Sequence, residues 1–135
     1  MIRLFSLMLV VFFTIPSLAM SKKPKNNCTD YTKFSDISYM DLAKIANTPK
    51  VTIIDVNSKK SFADSKIPGA IHFASNKDQL DKKLPDDKSK LIVAYCGGKM
   101  CTAWQRAAKT ACEMGYTNIR HFSEGIKGWD EQTKG

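Results

Sequence analysis

Leu91-Ile92-Val93-Ala94-Tyr95-Cys96-Gly97-Gly98-Lys99-Met100-Cys101-Thr102-Ala103-Trp104 is the stretch from which the fold is read. Its first five residues are apolar or aromatic without interruption, the pattern of a strand buried on both faces. Two glycines break the run. Trp104, Ala107, Ala108, Ala111 and Cys112 then fall at i, i+3, i+4, i+7 and i+8, one face of a helix that Gly115 ends. A buried strand passing through a short loop into a helix is the repeating step of a parallel α/β sheet.

The same alternation extends to either side. Ser38 followed by Asp41 predicts a helix N-terminus, with Tyr39, Leu42, Ala43 and Ala46 on one face. Val51 to Val56 is a second β-branched, nearly apolar run and predicts another buried strand. Short helices are expected over Lys59 to Asp64 and Lys77 to Lys83, the latter ending before Pro85. Strands are expected at Ala70 to Phe73 and Asn118 to Phe122, and a closing helical turn at Gly125 to Glu131. The expected fold is a small α/β domain with a parallel sheet of about five strands and helices on both faces.

Toward the N-terminus, Arg3 precedes a nearly continuous apolar run from Leu4 to Leu18, and Ser17-Leu18-Ala19 has a small-x-small pattern. This reads as a signal peptide over residues 1–19, too short to favour a spanning helix. A flexible basic leader is expected over 20–30 and the folded domain over 31–135. The expected location is therefore outside the cytoplasm, periplasmic or secreted, with membrane contact only through an uncleaved signal.

The formal net charge of the 135-residue chain is +8. Its lysines are scattered (Lys22, Lys23, Lys25, Lys59, Lys60, Lys82, Lys83, Lys88, Lys90) and lack interleaved aromatic residues, so they read first as a solvated basic surface, and beyond that favour small anionic substrates over nucleic acid. The four cysteines, Cys28, Cys96, Cys101 and Cys112, allow three pairings in an oxidising compartment. Cys112 shares a helix face with Ala108 and Ala111, so a core role is expected, with a bridge to Cys28 as the alternative. Cys112 is not expected to reach Cys101 along a helix rising about 1.5 Å per residue.

The chemistry concentrates at Cys96. A cysteine between a buried strand and a helix N-terminus feels the positive end of the helix dipole, and amides of a glycine-containing loop can point at its sulfur. Both favour thiolate, the nucleophilic form. Gly97 and Gly98 let the backbone curl around that position, and Lys99 adds a cation for an anionic donor. No cofactor is required, and His72 and His121 lack metal-ligand spacing.

Ile54-Asp55-Val56, Ile67-Pro68-Gly69-Ala70-Ile71, Tyr95-Cys96, Ala107-Ala108, Gly115-Tyr116 and Gly125-Ile126-Lys127-Gly128-Trp129 occur in the order and spacing of the rhodanese family. The chain resembles that family from about Phe34 to Trp129. The resemblance implies that Cys96 carries sulfane sulfur as a persulfide and that residues 97–103 cradle the anion, Met100 and Thr102 joining Gly97, Gly98 and Lys99 as binding residues. It also implies a thiosulfate-like donor and a thiol or other thiophilic acceptor.

Two departures stand out. Many members have Asp-x-Arg where this chain has Asp55-Val56-Asn57, and an arginine five residues after the cysteine where this chain has Cys101. Without a guanidinium fork, the phosphatase-like branch of the fold is disfavoured. A second thiol in a Cys-x4-Cys loop makes Cys101 a candidate resolving thiol. Besides sulfur transfer, two other readings are therefore carried: a dithiol–disulfide redox protein with a thiol-redox partner protein, and a non-catalytic binding module.

Overall fold

A computed structural model describes residues 26–135. The expected signal peptide lies outside the described residues, as does most of the expected leader.

Four parallel strands form one sheet in the order β2-β1-β3-β4: β1 (Val51–Asp55), β2 (Ile71–His72), β3 (Leu91–Tyr95) and β4 (Ile119–His121). β1 and β3 pair along their full length, from Val51 opposite Leu91 to Asp55 opposite Tyr95. The expected strand count of about five is corrected to four plus one isolated bridge, Asp36 to His121. Here Ile37 N–H donates to His121 O and His121 N–H to Ser35 O, but Ser38 caps helix α1 (Tyr39–Ile45) immediately afterwards. The helix start cuts this edge strand short.

The helices cover both faces. α2 (Lys59–Asp64), α3 (Phe73–Asn76) and α4 (Leu80–Lys83) are short, while α5 (Trp104–Glu113) and α6 (Gly125–Lys134) have ten residues each. Side-chain alternation sorts the core into two clusters, as the period of two in a strand requires. Ile54, Ile92, Ala94 and Cys96 face Phe73, Leu80, Trp104, Ala107, Ala108 and Ala111. Ile53, Val93 and Tyr95 face Leu42, Phe122, Ile126 and Trp129.

Element boundaries differ from expectation: β1 ends at Asp55 instead of Val56, β2 begins at Ile71 instead of Ala70, and β4 is one residue shorter at each end. Phe73 begins α3 instead of ending β2, because the Asn76 side chain donates to His72 O at 2.8 Å and His72 pairs with the Ser75 hydroxyl at 2.7 Å. The predicted helix over Lys77 to Lys83 divides into a 3-10 turn (Lys77–Gln79) and α4. α6 runs three residues beyond its expected end at Glu131.

The C-terminal end of α5 is tied twice. Gly115 adopts a positive φ of 94° after its last turn, the conformation that ends helices at little cost for glycine. Cys112 is bonded to Cys28 across 84 residues of chain, so the bridge, and not a free core thiol, is realised.

Candidate active site

β3 delivers Cys96 to the carboxyl end of the sheet, beside the edge where β1 ends in Asp55 and β4 leads into α6. Open parallel sheets bind ligands at this end. A buried polar frame supports it. Tyr95 Oη donates to Asp55 Oδ2 and accepts from Ile67 N–H, while Asp55 Oδ1 accepts from Asn57 N–H at 2.7 Å. Burial, reinforced by the Asp55 carboxylate, pushes the Tyr95 hydroxyl far above its ordinary range, so it acts as a donor. His72 Nε2 lies 2.9 Å from Asn57 O. That carbonyl can only accept, so Nε2 carries the ring proton and Nδ1 receives the Ser75 hydroxyl. Asp55 is thus a cap and brace.

The loop after Cys96 is gripped by the start of α6. Ile126 N–H donates to Cys96 O at 2.9 Å and Lys127 N–H to Gly97 O at 3.0 Å. In a trans peptide unit the N–H points opposite to its C=O, so the amides of Gly97 and Gly98 turn away from α6. Cys101 N–H donates to Gly98 O at 3.0 Å, bending the chain so that the Cys96 and Cys101 Cα atoms stand 6.2 Å apart, and the two sulfurs are bonded. The backbone contact is close enough to require glycine at position 125. A Cβ there would lie 2.6 Å from Cys96 O, and its φ is +60°.

The two sulfurs differ in access. Cys96 is 2% exposed, whereas Cys101 is half-buried and lines a cleft of about 520 Å³. Gly97, Gly98, Lys99 and Met100 line the same cleft; Cys96 does not. Met100 is 95% exposed. Thr102 lies off the cleft, exposed, with its carbonyl accepting from Gln105 N–H. The structure therefore brings Gly97, Gly98, Lys99, Met100 and Cys101 to one cleft and leaves Thr102 and Ala103 outside it.

The opposite wall comes from α6: Glu124, Lys127, Gly128 and Glu131. None of these was singled out as a site residue, although the rule that ligands sit beyond strand ends points to the segment after β4. Asn57 was also missed. Its Oδ1 would stand 3.7 Å from a Cβ on Gly97, and its Nδ2 is buried without a hydrogen-bond partner. A buried unpaired donor costs about 1–3 kcal/mol and calls for an explanation. A larger cleft of about 660 Å³ at the β2 edge is lined by Lys59, Phe62, Lys66 and His72 among others and holds no cysteine.

Trp104, at the loop exit, stacks on His121 with ring centroids 3.8 Å apart, and Tyr31 and Phe34 meet it edge-on. Burial holds the His121 ring below the ordinary histidine range, against an opposing pull from Asp36.

A family model described as the rhodanese-like domain matches residues 38–132. The chain is 23% identical over 99 residues to thiosulfate sulfurtransferase GlpE of Tolumonas auensis, covering 73% of this chain and 90% of that protein. It is 29% identical over 92 residues to adenylyltransferase and sulfurtransferase UBA4 of Candida albicans; that match covers 64% of this chain but only 21% of the longer protein. Among solved structures, the polysulfide-sulfur transferase homodimer of Wolinella succinogenes aligns with a TM-score of 0.55 and 21% identity over 74% of this chain and 75% of that one.

Proposed function

Because the chain belongs to the rhodanese-like domain family, we propose that it is a sulfurtransferase that carries sulfane sulfur on Cys96. The supporting observation is the position of Cys96 at the end of β3, in a loop whose first two carbonyls are held by α6. Once reduced, the Cys96 thiolate attacks the outer sulfur of a thiosulfate-like donor. An S–S bond forms on Cys96, the donor's S–S bond breaks, and sulfite leaves with the electron pair. A thiophilic acceptor then attacks the outer sulfur of the Cys96 persulfide and restores the thiolate. Lys99 and Lys127 supply positive charge at the cleft for an anionic donor.

In this reading the Cys96–Cys101 disulfide is a resting form that must be reduced before sulfur is accepted. Two disulfides support a location in an oxidising compartment, periplasmic or secreted, in agreement with the signal-like N-terminus. The test is intact mass. Reduced chain incubated with thiosulfate should gain one sulfur, removable by cyanide and absent from Cys96→Ser; failure of the wild-type chain to gain it sinks the proposal.

The bonded pair also favours a second reading, a dithiol–disulfide protein that exchanges electrons with a thiol-redox partner. That reading is supported if thiosulfate adds no sulfur while the pair cycles between bonded and reduced states, and is lost if Cys101→Ser leaves physiological activity intact.

A further inference from the structure

We propose that the Cys96–Cys101 disulfide is opened by a thiolate that attacks Cys101, expelling Cys96 as the leaving thiolate. The proposal rests on the sulfur-transfer reading only in giving the released Cys96 a purpose; the site of attack is a separate question with a separate measurement.

Access decides which sulfur is reached. A thiolate must approach in line with the S–S bond, from the side opposite the leaving sulfur, and access is among the determinants of the rate. Cys101 lines the cleft of about 520 Å³, with Gly97, Gly98 and Gly128 also in its walls. Small residues there let a thiol-bearing molecule come close to the backbone. Behind Cys96 lies the packed core, where it clusters with Ile54, Val56, Trp104 and Ala108 and keeps 2% exposure.

Leaving-group stability points the same way. A thiol of lower pKa leaves faster. The α6 contacts to Cys96 O and Gly97 O turn the Gly97 and Gly98 amides away from α6 and leave them free to serve a Cys96 thiolate. The unpaired Nδ2 of Asn57, buried beside Gly97, is a further donor at this end of the loop.

The step is balanced. The incoming thiolate forms a bond to Cys101 Sγ, the Cys96–Cys101 bond breaks, and its electron pair stays on Cys96. A second thiolate then takes the first as a disulfide and leaves Cys101 reduced, so two external thiols are oxidised as the protein accepts two electrons. Between these steps Cys96 is a free nucleophile while Cys101 is blocked. While that block lasts, Cys101 has no free thiolate to attack a persulfide on Cys96, and reclosure requires Cys96 itself to expel the external thiol from Cys101.

To test this, oxidised full-length chain is mixed with glutathione for short times, quenched in acid, alkylated and mapped by mass spectrometry. The expected early product carries glutathione on Cys101 and the alkyl group on Cys96, at least tenfold over the reverse arrangement. Equal labelling, or glutathione chiefly on Cys96, overturns the proposal. In a parallel arm, thiosulfate is added to the glutathionylated chain. Glutathione on Cys101 with no gain of sulfur on Cys96 upholds the order of attack while defeating the sulfur-transfer reading, so the two fail separately.

Discussion

Cys28–Cys112 closes 84 residues of chain and joins the N-terminal segment to the last turn of α5, with both residues buried at 8% and 5% exposure. Cys96–Cys101 closes five residues just before the first turn of the same helix, and one of its sulfurs opens on a cleft. Chain entropy grows with the length of loop closed, so the long bridge is worth about 4.5 kcal/mol and the short one about 2 kcal/mol against the unfolded state. The long bridge is thus placed to stabilise and its cysteines are both buried, although Cys28 borders a cleft of about 310 Å³. The short one adds little stability and is accessible to thiols. Oxidation alone does not separate a structural cysteine from a reactive one; loop length and access do.

The sharpest way to break this contrast is Cys96→Ser, which should abolish sulfur uptake from thiosulfate entirely while leaving the Cys28–Cys112 bond intact in the intact mass. Replacing Cys28 and Cys112 together with serine should lower unfolding free energy in urea by about 4 kcal/mol and change sulfur uptake by the surviving chain less than about threefold. Comparable losses of stability from the two bridges would erase the distinction. Gly125→Ala forces a Cβ to within 2.6 Å of Cys96 O at a positive φ. It should slow sulfur transfer by about tenfold to a hundredfold through displacement of the loop, measured as kcat with thiosulfate and cyanide. Cys101→Ser removes only the short bridge and should cost no more than about 2 kcal/mol.

The smallest effect concerns His121, under Trp104 at the helix start between the two bridges. Burial lowers its folded-state pKa below the ordinary 6.5, so the unfolded chain takes up a proton that the folded chain resists. Stability is complete above that pH and declines as pH falls below it toward the lowered folded value. His121→Phe, which keeps a ring against Trp104, should flatten this step in a pH series of urea midpoints.

What could be read from the chain in advance was what is local in it. Buried runs at Val51 and Leu91, the glycines after Cys96 and the apolar face from Trp104 each lie within a dozen residues, and period alone identifies them. The half of the site contributed by Glu124, Lys127 and Glu131 was not readable in this way. It depends on β4 lying beside β3, which brings α6 over the loop. Asn57 reaches Gly97 for the same reason, from β1. Thr102 was included through adjacency in sequence to Cys101, yet the turn toward α5 carries it off the cleft. The Cys28–Cys112 pairing depends on where the N-terminal segment recrosses α5, a contact that no spacing encodes.

That pairing is also nested: the first of the four cysteines bonds to the last, and the middle two bond to each other. As the chain is made from its N-terminus, Cys28 must wait for Cys112, while Cys96 and Cys101 appear earlier and offer themselves as wrong partners. Oxidation in order of appearance would trap Cys28 with Cys96, the sulfur proposed to react. A chain arranged this way gains from a disulfide-shuffling catalyst during its maturation, whose thiolate opens the wrong Cys28–Cys96 bond and frees Cys28 to wait for Cys112.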